Sequence, residues 1–131
     1  EKLYFMKIKK INKDINTWKK RKLSIINNLV NKFGPLPAKA FPGRAAILMK
    51  ILRLDKQHIS AIFERDKSIK IGNYAPGTRI PIVSDKNLKK IHKNIPIINL
   101  AWHISKEIRV YLKRNFIKNK VIDILNQQDF R

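Results

Sequence analysis

Cysteine is absent from the 131-residue sequence, which excludes disulfides and thiolate metal centres outright. Acidic side chains are scarce: nine Asp and Glu stand against thirty Lys and Arg, for a formal net charge of +21. No apolar run approaches the roughly 20 residues needed to span a bilayer. A charged start followed by an uninterrupted apolar stretch, the mark of a secretory leader, is also missing. Methionine does not open the chain; Glu1 does, so the polypeptide is expected to be processed or cut from something longer.

What is present fits one domain with a core of its own. The length carries a one-domain expectation, and at that size folding buries roughly two-thirds of the chain's surface. Apolar residues make up 44% and fall in periodic runs, which argues against disorder despite the 30% charged fraction. A field of this sign and size draws in polyanions. Nucleic acid leads, because its closely spaced phosphates release counterions when Lys and Arg neutralise them. An AT-rich coding bias favouring Lys, Asn and Ile accounts for Lys in place of Arg, but not for the shortage of acids.

The first segment, residues 1–34, reads as a long amphipathic basic helix. Tyr4, Ile8, Ile11, Ile15 and Trp18 alternate at spacings of four and three, and Ile25 and Leu29 resume the stripe. Lys7, Lys9, Lys10, Lys13, Lys19, Lys20, Arg21 and Lys22 wrap the other faces. The apolar seam is expected to pack on the domain. Gly34 before Pro35 is a stop signal. Residues 35–131 then alternate short elements. Leu36 to Phe41 is a candidate first strand, weakened by Pro35 and Pro37. Ala45 to Leu54 reads as a helix with Ile47, Leu48, Ile51 and Leu52 inward, and His58 to Phe63 as a second strand. A loop at Gly72–Thr78 leads into Ile80-Pro81-Ile82. Ser84 or Asp85 caps a short helix through His92. Ile95 to Ala101 is a buried strand broken only by Asn99, Ile104 to Asn115 a helix, and Val121 to Leu125 a last strand. The expected fold class is α/β: a Rossmann-like, mainly parallel sheet with flanking helices, preceded by the long N-terminal amphipathic helix.

The stretch Gly72-Asn73-Tyr74-Ala75-Pro76-Gly77-Thr78-Arg79-Ile80-Pro81-Ile82 stands out. With Pro42-Gly43-Arg44-Ala45 upstream and Leu100-Ala101-Trp102-His103 downstream, it resembles the C-terminal domain of sugar C-methyltransferases, in order and spacing from about Tyr4 to Leu125. Those enzymes join a zinc-binding module and a central S-adenosylmethionine domain to a Rossmann-like C-terminal domain. The resemblance implies that the zinc ligands, the methyl donor and the catalytic region lie outside these residues. The departures from the pattern are Ala40 and Phe41 for the small residues before Pro42-Gly43, Arg65 for an acid after the second strand, Ala75 for Thr, and His103 for Asn. Phe41 would fill space where a ligand approaches a backbone turn, and an acid after the second strand bonds a ribose hydroxyl where Arg meets phosphate. Together they imply a degraded small-ligand pocket.

No catalytic constellation emerges, so the chain is not expected to be an enzyme on its own, and neither a cofactor nor a metal is expected. His58, His92 and His103 are not spaced as ligands and no paired carboxylates accompany them. A small-ligand or phosphate site is expected at Gly43, Arg44, Glu64, Trp102 and His103, since ligands gather at the C-terminal edge of open α/β sheets; a plain tight turn at Pro42-Gly43-Arg44 is the alternative. Candidate nucleic-acid contacts are Lys9, Lys10, Lys13, Lys19, Lys20, Arg21, Lys22, Arg44, Lys70, Tyr74, Arg79, Arg109, Lys113 and Arg114. Tyr74 would stack on a base while Arg79 and Lys70 meet phosphates. Alternatively the Tyr74 loop simply braces the sheet. No recognition signature for RNA is present, so contact would run through shape and phosphate.

Two functions follow. One is a non-catalytic, methyltransferase-derived RNA-binding subunit of a ribonucleoprotein, such as a mitochondrial ribosome, with rRNA and neighbouring proteins as partners in the matrix. The other is the nucleotide-sugar-binding domain of an S-adenosylmethionine-dependent sugar C-methyltransferase, working in the cytoplasm beside its methyl-donor domain. Contact of the first helix with an anionic membrane is weaker, because the core needs its apolar seam, and no membrane partner is expected.

Overall fold

The computed structural model describes residues 1–130. Five parallel strands are ordered β3-β2-β1-β4-β5. They span Leu36–Lys39 (β1), Ile59–Glu64 (β2), Ile82–Ser84 (β3), Ile97–Asn99 (β4) and Val121–Asp123 (β5). The helices are Lys2–Phe33 (α1), Ala45–Ile51 (α2) and Ser105–Arg114 (α3), with 3₁₀ turns at Asp85–Lys90, Trp102–Ile104 and Gln127–Phe130. This is a Rossmann-like α/β sheet whose order reverses between β1 and β4, the arrangement in which a crevice opens beyond the carboxyl ends of the strands.

Alternation along the strands sorts the core into two layers. Ala38, Ile62, Ile82 and Ile98 face Trp18 and Ile26 of α1 and Ala45 and Met49 of α2. Phe63 and Ile97 face Leu88 and the α3 residues Ile108 and Leu112. The basic faces of α1 and α3 are therefore on opposite sides of the sheet.

The elements fall where the sequence pattern puts them, but their lengths and phases differ. β1 stops at Lys39 instead of Phe41, because Ala40 takes a left-handed conformation (φ 64°) that no strand continues. α2 ends at Ile51 and its phase is shifted. Leu52 is buried as expected and Leu48 and Ile51 pack half-buried on the core, but Ala45 and Met49 take the fully buried places, whereas Ile47, expected inside, is 62% exposed. β2 starts one residue later than expected, at Ile59, and β5 ends at Asp123. The expected helix through His92 is a 3₁₀ segment ending at Lys90, with Ser84 accepting from the Lys86 N–H at 3.2 Å. Of the Ile95–Ala101 run only Ile97–Asn99 pairs as strand, although Pro96 through Ala101 are all buried.

The largest difference lies in α1. Gly34 (φ 78°) terminates it as expected, its N–H donating to the Val30 carbonyl at 2.7 Å. Of the expected seam, however, only Trp18 is fully buried; Ile25 and Leu29 are half-buried, and the inward stripe runs through Trp18, Lys22 and Ile26. Tyr4, Ile8, Ile11 and Ile15 are exposed. A helix of 32 residues is about 48 Å long at 1.5 Å per residue, while strands of three to six residues are only about 10–20 Å long. The layer ends before the helix does, and the first four turns project past it. The packed half is fixed from the chain's other end: Trp18 Nε1 donates to the Ile124 carbonyl at 2.7 Å, and Lys22 Nζ reaches both the Asp123 carbonyl (2.7 Å) and the Asp129 carboxylate (3.2 Å).

Candidate functional site at the carboxyl edge of the sheet

The β1–α2 turn is where a Rossmann-like sheet most often receives a phosphate or nucleotide. Here it is filled from within. Phe41 is buried, and its backbone N–H donates to the Glu64 carboxylate in a short hydrogen bond. Lys70 Nζ donates to the Phe41 carbonyl at 2.5 Å. The acid at the end of β2 that could meet a ribose hydroxyl is thus spent on the turn itself, and the aromatic ring occupies the approach. Gly43 is not held in the left-handed region, and a Cβ there would meet nothing within 4 Å. These residues do not fit an adenosyl cofactor in the turn.

Trp102 and His103 follow β4 at the same edge, their rings in edge contact at 5.7 Å. The indole Nε1 of Trp102 is buried without a hydrogen-bond partner, while His103 is exposed. The five residues expected to form one small-ligand site therefore divide. Gly43, Arg44 and Glu64 belong to the closed turn, and no hydrogen bond among the described residues ties Trp102 or His103 to it.

The loop before β3 is a hairpin. Tyr74 and Pro81 form an antiparallel bridge, Ala75 N–H donates to Ile80 O (2.9 Å), and Ile82 N–H donates to Asn73 O (2.9 Å). Ala75 and Ile80 anchor it in the core, leaving Tyr74 and Arg79 outside. Between this hairpin and α2 lies a cavity of about 540 Å³, walled by Phe41, Met49, Leu54 and Pro76 with Lys50 and Arg53 at its rim.

Among the basic residues expected at a nucleic-acid surface, Lys9, Lys10, Lys13 and Lys20 are exposed on α1, and Lys19 is half-buried. Arg44, Lys113 and Arg114 are exposed as well. Lys22 is a correction. It is 2% exposed and ion-paired to Asp129, because its place on α1 falls on the inward stripe with Trp18 and Ile26. Arg21 donates to the Gln128 carbonyl at 3.1 Å, and Arg109 spans Ser105, the Val121 carbonyl and Asp123, so both are partly engaged in holding the fold.

Sequence reasoning missed a buried polar cluster at the end of β1. Lys39, 1% exposed, pairs with Asp85 at 3.0 Å, and Tyr111 of α3 donates its hydroxyl to the same carboxylate oxygen at 2.6 Å. The Lys39 ammonium and the Arg65 guanidinium lie 4.9 and 4.8 Å from the centre of the Tyr111 ring. Burial first, then the hydrogen bond and charge of Asp85, raise the Tyr111 phenol from 10.0 to about 12, with Arg65 pulling the other way. The sequence signal was a lone Lys inside the apolar run Leu36–Phe41. Beside it, Asp123 accepts from Asn99 Nδ2 (2.8 Å) and Ser105 Oγ (2.8 Å), which explains the Asn in the β4 run.

With this geometry in place, comparison with known families decides the lineage. Residues 5–122 match the family described as the C-methyltransferase C-terminal domain. The chain belongs to that family. No curated protein matches it. As a C-methyltransferase C-terminal domain, it has the expected sheet, long first helix and Pro-Gly-Thr hairpin, but a β1–α2 turn closed by its own Phe41. Among the described residues there is no cluster of three or more His, Cys, Asp or Glu suited to a metal ion, and no helix long and apolar enough to cross a membrane.

Proposed function

We propose that this chain is the substrate-holding domain of a sugar C-methyltransferase system, binding a nucleotide-linked sugar while methyl transfer takes place on an S-adenosylmethionine domain carried by other residues. The family match over residues 5–122 carries this reading. The closed β1–α2 turn agrees with it, since Phe41 and its bonds to Glu64 and Lys70 take up the turn where an adenosyl group would dock. Calorimetric titration with UDP-linked and dTDP-linked hexoses tests it: saturable one-to-one binding is expected, and no heat at ligand concentrations of about 1 mM would refute it.

The charge favours a second reading, RNA binding within a ribonucleoprotein such as a mitochondrial ribosome. Its supporting observation is that Lys7, Lys9, Lys10 and Lys13 stand exposed on the projecting turns of α1 and Lys20 on the solvent side of its packed half. If those five lysines meet phosphates of single-stranded RNA, log K should fall against log salt with a slope of about −3.5. Replacing them with Ala should flatten the slope towards zero, and a slope unmoved by those replacements counts against this reading.

A further inference from the structure

A groove of about 440 Å³ opens where β2 ends, lined by Arg65, Lys106, Glu107, Val110, Tyr111 and Arg114. Lys106, Val110 and Arg114 repeat every four residues and so form one stripe along α3, with Glu107 and Tyr111 on the adjacent stripe. Among the described residues none of Arg65, Lys106 and Arg114 has a carboxylate within ion-pairing distance. In a chain this basic, isolated exposed cations are common. What distinguishes this group is that one of them is mounted. The Arg65 guanidinium lies against the Tyr111 ring, 4.8 Å from its centre, and the ring is fixed by its hydroxyl bond to Asp85, which the buried Lys39 holds in turn. A guanidinium held over an aromatic ring keeps N–H donors free to meet an acceptor. Much of the rotamer entropy that binding would otherwise cost is therefore already lost.

We propose that this groove is the ligand site of the domain, and that its ligand is a diphosphate bearing free hydroxyls. Arg65 and Arg114 take the phosphate oxygens through paired N–H donors, and Lys106 adds a third positive charge. Glu107, the one carboxylate among the described residues that line the groove, accepts from ligand hydroxyls, and Val110 offers an apolar floor for a sugar or base face. The site lies at the carboxyl edge of the sheet, where open α/β folds receive ligands, and on the opposite side of the sheet from the closed β1–α2 turn. The proposal rests on the substrate-holding reading above and names where that substrate sits.

The test uses the 131-residue chain, with inorganic pyrophosphate and UDP-glucose as probes in calorimetric titrations. Circular dichroism verifies the fold of each variant. Arg65→Ala and Arg114→Ala should each weaken both probes about tenfold or more. Arg65→Lys should not restore the loss, because an ammonium lacks the paired N–H donors of a guanidinium. Glu107→Gln should leave pyrophosphate binding unchanged and weaken UDP-glucose. A control, Lys9→Ala with Lys13→Ala, removes more charge than either Arg variant from the distant end of α1 and should change neither affinity. If the control lowers affinity as much as Arg65→Ala, the attraction is diffuse and the groove is refuted. UDP-glucose binding that survives both Arg variants refutes the groove but leaves the substrate-holding reading standing, whereas failure of the wild-type chain to bind either probe overturns both.

Discussion

Two lysines show how differently one side chain behaves as its surroundings change. Lys22 and Lys39 are almost fully buried, and each is matched by a carboxylate, Asp129 at 3.2 Å and Asp85 at 3.0 Å. Removing one partner of such a pair leaves the other charged, buried and alone, whereas replacing the pair with apolar groups can be nearly neutral. Asp129→Ala should therefore destabilise the fold by about 3–5 kcal/mol in denaturant unfolding, and adding Lys22→Met should recover most of that loss. Tyr111 makes a prediction with a defined sign. Its folded-state phenol, raised to about 12, keeps its proton where the unfolded chain, near 10, has lost it. The contribution is present below pH 10 and disappears as pH rises through that interval. Lysines titrate over the same range, so the comparison is between wild type and Tyr111→Phe. The stability gap between them should narrow from about pH 9 to about pH 12, and a tyrosinate absorbance step near 12 should vanish in the variant.

At the scale of elements, the hairpin before β3 and the β1–α2 turn pose opposite glycine problems. Gly77 has φ 75°, in the left-handed region, and Gly43 does not. A Cβ costs roughly 1–2 kcal/mol in that region, so Gly77→Ala should lower stability by about that much and Gly43→Ala by almost nothing, as thermal unfolding would show. The order of elements and the parallel sheet were legible in the sequence because strand and helix periods alternate cleanly from Leu36 onward. The phase of α2 was not. In seven residues carrying Ala45, Ala46, Ile47, Leu48, Met49 and Ile51, almost every face is apolar, so periodicity does not choose between Ile47 and Met49. The mounted Arg65 was equally hidden, because Lys39, Asp85 and Tyr111 come from three separate elements and meet only when the sheet forms. The closed turn, by contrast, was readable in Phe41, whose size alone announced that the space would be filled.

For the whole molecule the governing quantity is +21 on 131 residues. The described residues hold few ion pairs to offset it, and the Asp66–Lys86 pair is at the surface. Self-repulsion on this scale opposes the compact state and is screened by salt with a Debye length of about 8 Å at physiological ionic strength. The melting temperature should therefore climb as salt is raised from about 0.01 M to about 0.15 M, and a flat or falling profile would show that the charges are compensated locally.

The projecting half of α1 has a consequence for how the chain meets a protease. Without tertiary contacts, roughly fifteen residues of helix sit at the length where isolated helices are only marginally stable in water. They open locally at little cost, and cleavage follows the population of open forms. Trypsin cuts after Lys and Arg, and Lys7, Lys9, Lys10 and Lys13 all lie on this arm. Mild digestion should first trim the arm in a ladder and then pause near Trp18, where the Ile124 bond and the Lys22–Asp129 pair hold the helix down. Mass spectrometry of the fragments would read the edge of the folded layer directly, one lysine at a time.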